Sequence, residues 1–284
     1  MKKILAAILV LTMLFTLPAA AMADEDEGAR TLSWITAQRL IEKAELTGNF
    51  YQVGDINLDL WIPDMLTAQT DLPDNCYCIF ASEDGAATIE VNAVALVEGM
   101  ELEDVEDYVT ERGAESDGFY WINGFDALVY ELKDEGCLSV VILVDDGSAL
   151  EFVFEDVSDP EVYSLASLVM CTIQPHTLEV RDLALMMDAD LNSTWGPDKH
   201  VSYFDDGSIN VNMWEENVNA DNIKNVKNWD AVRQDKIDTY ALYVRALSIL
   251  GLKDTPLTLQ FTDADQELSF LSIEDGKITY DALA

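Results

Sequence analysis

An acid-Asp-Gly triplet punctuates the chain four times: Glu83-Asp84-Gly85, Asp145-Asp146-Gly147, Asp205-Asp206-Gly207 and Glu274-Asp275-Gly276. Asp-Gly supplies the positive φ angles that a tight hairpin turn demands. Each dipeptide is flanked by short runs rich in Val, Ile, Phe and Tyr. Such a chain must spend much of its length in antiparallel hairpins, which excludes a helical bundle. The strands around the four turns do not otherwise match, so the recurrence reads as turn chemistry and not as an internal repeat.

Helical periodicity fills the gaps between the hairpins. Residues 31–47 place Trp34, Ala37, Ile41 and Ala44 on one face, with Gly48 as a stop. Residues 102–112 carry Leu102, Val105, Tyr108 and Val109, closed by Gly113. Asp159 followed by Pro160 is a helix start, with Pro at the first helical position. That helix runs to about Cys171. Gln174-Pro175-His176 then breaks the pattern and marks a domain boundary between residues 176 and 177. Beyond it come a short helix over 183–191, a hairpin over 201–214 and a polar connection over 217–228. A long helix capped by Asn228 and three strands over 257–262, 268–273 and 277–280 end the chain. In the first domain, strands are expected over 76–82, 88–97, 119–122, 127–132, 138–144 and 149–154, after a loop over 53–73. The fold class is α+β: an antiparallel sheet domain over 24–176 and a smaller α+β domain over 177–284.

The first 23 residues read as an export signal. Lys2 and Lys3 form a basic start, residues 4–17 are apolar except for Thr12 and Thr16, and Ala21-Met22-Ala23 supplies the small residues that signal peptidase selects. The apolar run is shorter than the ~20 residues a spanning helix needs, so cleavage after Ala23 and a secreted, extracytoplasmic product are expected. No membrane insertion is expected after cleavage.

Charge narrows the partners. The chain carries 16 Lys and Arg against 54 Asp and Glu, a net charge of −38. Losing Lys2 and Lys3 takes −38 to −40. Such a surface repels nucleic acid and anionic lipid and favours a basic partner or divalent cations. An apolar share of 49% is enough for a real core, so the charge does not imply disorder.

No motif assigns a reaction. The two histidines, His176 and His200, stand beside no G-x-S-x-G or cysteine-protease signature and read as linker or surface residues. No catalytic residue and no organic cofactor are assigned. Calcium is the one candidate ion. Asp188, Asp190 and Asn192 have the alternate spacing of a calcium loop, although Ser193 and Lys199 stand where its glycine and glutamate belong. Asp263, Asp265 and Glu267 repeat the spacing, with Glu274 at the glutamate distance, although Leu268, Phe270 and Leu271 look like a strand. Helix capping and turn formation account for these acids equally well. Trp61, Trp195 and Trp214 sit at loops or strand ends and are candidate surface aromatics, as a carbohydrate-contacting protein would use. Trp34 and Trp229 lie on helix faces and read as core. Four cysteines, Cys76, Cys78, Cys137 and Cys171, leave open a bridge from the first two to either of the others, a thiolate site or buried free thiols. Cys76 and Cys78, two apart in a strand, are expected on one face.

Several pieces recur in a recognisable order over residues 50–175: Leu60-Trp61-Ile62-Pro63, the 102–112 helix and the Trp121-Ile122-Asn123-Gly124 turn. The turn feeds Ala127-Leu128-Val129-Tyr130-Glu131, then a hairpin over 140–154 and a closing helix that leads into Thr172-Ile173. This order resembles the PsbP-like family. The resemblance implies an antiparallel sheet with helices on its faces and a role in binding proteins or assembling complexes. It implies no reaction and carries over no site residue. Residues 178–284 resemble no family. The resulting expectation is an exported, non-enzymatic binding or accessory protein with a basic protein or peptide partner. A carbohydrate-contacting or cation-binding protein is the alternative.

Overall fold

The structure is a computed structural model that describes residues 30–145, 147–195, 200–214, 218–219, 221–223, 226 and 228–283, with the Trp195 side chain left out. Residues 1–29, over which the export signal is expected, Asp146, Lys199 and part of the 217–228 connection lie outside the described residues. Among the described residues the chain is mixed α+β, with fifteen strands in three sheets and five helices. It divides into two compact units between Thr177 and Leu178.

The first unit begins with β1 (Arg30–Leu32), α1 (Trp34–Lys43), β2 (Gly48–Gln52), β3 (Asp59–Pro63) and β4 (Leu66–Ala68). Next come β5 (Cys76–Ser82), β6 (Thr88–Ala95), α2 (Leu102–Thr110), β7 (Glu115–Ile122) and β8 (Phe125–Leu132). It closes with β9 (Cys137–Asp145), β10 (Ser148–Glu155) and α3 (Pro160–Met170). Eight strands form one sheet in the order β1-β7-β8-β9-β10-β6-β5-β4. Every pairing in it is antiparallel except that of β1 with β7. β2 and β3 form a separate hairpin.

Alternation along the strands sends side chains to two different cores. Phe80, Val91, Phe152, Phe154, Val140 and Ile142 belong to the larger cluster, together with Ala166, Val169 and Met170 of α3. Leu128, Tyr130, Val141 and Ala149 point the other way and meet Leu102 and Val105 of α2. The Asp159 carboxylate accepts the Glu161 N–H at 2.7 Å, satisfying one of the four unpaired amides at the start of α3.

The second unit runs α4 (Val180–Trp195), β11 (His200–Tyr203), β12 (Ile209–Trp214), α5 (Trp229–Ile249), β13 (Leu257–Thr262), β14 (Ser269–Glu274) and β15 (Lys277–Asp281). Its five strands lie in chain order, and only β12 and β13 run parallel. A parallel pair needs a long crossover, and α5 supplies it.

The structure revises several expectations. The helix expected over 31–47 spans only Trp34–Lys43, because Arg30–Leu32 is drawn into strand pairing with Tyr120, Trp121 and Ile122. Gly48 opens β2 instead of ending the helix. The loop over 53–73 contains β3 and β4. Tyr108 lies 52% exposed, so the apolar face of α2 ends at Leu102 and Val105 with Val109 beside them. The short helix over 183–191 extends to sixteen residues, Val180–Trp195. Asn228 precedes α5 in the left-handed region, at φ 62°, and its side chain caps nothing.

Candidate functional site

The second face of the eight-stranded sheet is covered unevenly. α2 packs over β7, β8 and β9. On β10, β6 and β5 the same face presents half-buried side chains in cross-strand rows. One row runs Ile79, Glu90, Val153, Ser139 and Tyr130. The next runs Asn92, Glu151, Val141 and Leu128. Glu155 stands opposite Thr88 in the row on the other side. Glu90, Glu151 and Glu155 are therefore diagonal neighbours on two adjacent strands, a spacing at which long side chains still interact. Among the described residues no Lys, Arg or His forms an ion pair with any of the three. Glu151 accepts a hydrogen bond from the Tyr130 hydroxyl. Burial first, and then this carboxylate, raise the Tyr130 phenol above its ordinary range, so the hydroxyl stays a donor. The arrangement offers carboxylates without a cationic partner beside the apolar Ile79 and Val153, which suits a cation carried on a partly apolar stem.

The Asn123 side chain anchors the end of β7. It is completely buried at φ 49°. Its Oδ1 accepts the Trp34 N–H at 2.6 Å, and its Nδ2 donates to the Cys171 and Ile173 carbonyls at 2.8 Å each. One side chain thereby ties the start of α1 to the end of α3. Farther along β7, Arg30 Nη1 donates to Asp117 at 2.9 Å and to the Tyr120 hydroxyl at 2.6 Å.

Each histidine meets a carboxylate. His176 Nδ1 lies 2.9 and 3.1 Å from the two oxygens of Asp59, whose backbone exchanges both hydrogen bonds with Gln174. His200 Nδ1 lies 3.7 Å from Asp188. Among the described residues no Ser, Thr or Cys hydrogen-bonds either ring, so no nucleophile is aligned with a base. The His176–Asp59 contact fastens the segment leaving α3 onto β3.

The calcium-loop spacing of Asp188, Asp190 and Asn192 falls inside α4. Residues two apart on a helix point to opposite sides. Asp190 is fully buried and accepts from the Tyr243 hydroxyl at 3.0 Å. Asp188 accepts from the Val201 N–H at 2.9 Å and from Asn192 at 3.1 Å. Asp263 accepts the Glu267 and Leu268 N–H groups at 2.9 and 3.0 Å and so builds the β13–β14 turn, with Asp265 exposed within it. Among the described residues no group of three or more His, Cys, Asp or Glu side chains is arranged to hold a metal ion.

Of the surface aromatics, Trp61 is buried at 5% exposure in β3, every residue of which is buried, and its ring lies against Gly48. Trp214 is half-buried at the end of β12. The Trp195 side chain lies outside the described residues. Trp34 is core at 2% exposure, and Trp229 is half-buried, with Nε1 donating to Asp281 at 3.0 Å.

All four cysteines are free. A register shift in β5 pairs Cys76 with Asn92 and Cys78 with Val91, so the two occupy opposite faces of the sheet and not one. Burial pushes the Cys78 and Cys171 thiols up to about 12, so neither is a ready nucleophile or ligand. Among the described residues no helix is long and apolar enough to cross a membrane.

No family model matches the chain. No curated protein matches it either. Among solved structures, a crystal structure from Bacteroides thetaiotaomicron VPI-5482 is similar at 9% identity, over 80% of this chain and 86% of that one, with a TM-score of 0.28.

Proposed function

We propose that this chain is an exported, non-enzymatic binding or accessory protein whose first unit, built on a PsbP-like plan, takes a basic protein or peptide on the second face of its large sheet. The observation that carries this reading is the set of carboxylates without a cationic partner among the described residues, Glu90 between Ile79 and Val153 and Glu151 and Glu155 flanking Val153 along β10, where α2 leaves the sheet to half-buried side chains. Like charges at adjoining positions repel one another, and a bound lysine or arginine relieves that repulsion while its stem covers Val153 and Ile79. The net charge of −38 adds long-range attraction for a basic partner and speeds encounter at low salt.

The test is a titration of the secreted chain with arginine- and lysine-rich peptides and their glutamate-rich counterparts, followed by fluorescence anisotropy. The basic peptides bind and the acidic ones do not. Replacing Glu90→Gln and Glu151→Gln together weakens binding by at least about tenfold, which is about 1.4 kcal/mol. The fall in affinity with added salt also becomes shallower. An unchanged affinity in the double variant sinks the proposal.

A further inference from the structure

The second unit ends in a sheet edge that nothing pairs among the described residues. β15 is the last strand of the five-stranded sheet, bonded to β14 on one side. α5 packs over β13 and β14. Residues Lys277, Ile278, Thr279 and Tyr280 are all exposed, with Ile278 at 40% and Tyr280 at 51%. An edge of this kind presents a row of unpaired backbone donors and acceptors, a template for an added strand. Two apolar side chains pointing to opposite faces make it a better template than a polar edge.

Charge selects what adds there. The antiparallel register places the Glu274-Asp275 turn at one end of β15. At the other end, where Asp281 pairs with Leu271, stands the turn that carries Asp265 and Glu267. All four of these acids are exposed. Asp281 itself is engaged by Trp229 at 3.0 Å and Arg233 at 3.3 Å, so it belongs to the fold. The edge is thus bracketed by acidic turns. A second copy of the chain would bring the same acids and its own charge of −38 against them. A register shift leaves Thr279 without a partner residue on β14 and bends the edge, so an added strand follows that bend.

We infer that β15 docks an extended basic segment by strand addition, with the backbone pairing along Ile278–Tyr280 and lysines or arginines at its two ends meeting the acidic turns. This is a second docking element, separate from the sheet face of the first unit. Main-chain hydrogen bonds supply the affinity of such a contact, and alternate side chains supply its selectivity.

The probe is a fluorescein-labelled peptide of alternating threonine and valine with paired lysines at each end, titrated into the secreted chain at about 0.15 M salt, where surface charges are screened beyond ~8 Å. It binds. N-methylation of its alternate backbone nitrogens, which removes donors and leaves every charge, weakens binding at least tenfold. The Tyr280→Lys variant, altered at an exposed position, also binds it more weakly, and in the Glu90→Gln/Glu151→Gln background the methylated peptide still binds at least tenfold more weakly than the unmethylated one. Equal binding of the methylated peptide overturns strand addition. Loss of binding in the glutamine variant but not in Tyr280→Lys overturns it too and leaves the first-unit face as the docking site. Absence of binding overturns it outright, as does a dimer on gel filtration that Tyr280→Lys splits.

Discussion

At the scale of single residues, Asn123 does the most with the fewest atoms. It holds three backbone groups, from Trp34, Cys171 and Ile173, that belong to two separate stretches of chain. Substitution by Ala leaves all three without a partner at a site with no exposure. At ~1 kcal/mol for each orphaned group, the loss is about 3 kcal/mol or more. For a protein of this size that lowers the melting midpoint by roughly 6–12 °C. Asn123→Asp discriminates further, because it keeps the acceptor for Trp34 and removes the donors for Cys171 and Ile173 while burying a charge. Its midpoint falls at least as far as that of Asn123→Ala. Differential scanning calorimetry of both variants checks this, and a change of under about one degree in either would remove Asn123 from its anchoring role.

At the scale of elements, the β2–β3 hairpin depends on Gly48. A Cβ there would sit 2.4 Å from the Ile62 carbonyl oxygen and 2.5 Å from the Trp61 ring, closer than any side chain tolerates. Gly48→Ala therefore displaces β2 or the Trp61 ring. Overpacking of this kind costs about 1–3 kcal/mol. Amide exchange accelerates across Phe50–Tyr51 and Leu60–Trp61 in the variant, while that of α3 moves less. The same hairpin shows why part of the fold was illegible in sequence. β3 is buried at all five positions, so it has no alternation to read. β1 is three residues long, and its strand character comes from pairing with Tyr120, Trp121 and Ile122, about ninety residues away. By contrast, the β5–β6, β9–β10 and β14–β15 hairpins and the start of α3 were legible, because Asp-Gly turns and the Asp159-Pro160 start are local chemistry. The Ile122-Asn123-Gly124 turn was legible as a turn. The reach of Asn123 to Trp34 and Cys171 was not, because it depends on tertiary contact. The acidic strip on the sheet was hidden for the same reason. Glu90, Glu151 and Glu155 are three acids among 54 until β6 and β10 are set in register.

At the scale of the whole molecule, charge sets how the protein answers its solvent. A surplus of 38 negative charges repels itself in the compact state more than in the expanded one, so screening favours folding. Sodium chloride raises the melting midpoint over the range where the Debye length falls from ~30 Å to ~10 Å, with most of the gain at the dilute end. A specific ion would add to this by mass action, in proportion to its affinity for the folded state alone. The acids that carry calcium-loop spacing are committed elsewhere. Asp190 is buried on the Tyr243 hydroxyl, Asp188 holds the Val201 amide, and Asp263 holds the turn before β14. At matched ionic strength, the midpoint with millimolar calcium therefore follows the sodium curve, apart from the stronger screening that any divalent ion gives. Magnesium serves as the reference for that effect. Calcium and magnesium shift the midpoint together, and chelation of calcium returns it to the sodium value. A shift of several degrees for calcium above magnesium would mean that a cation-binding arrangement forms from residues such as Asp265 and Glu267, which are exposed in the folded chain and meet no ion pair among the described residues.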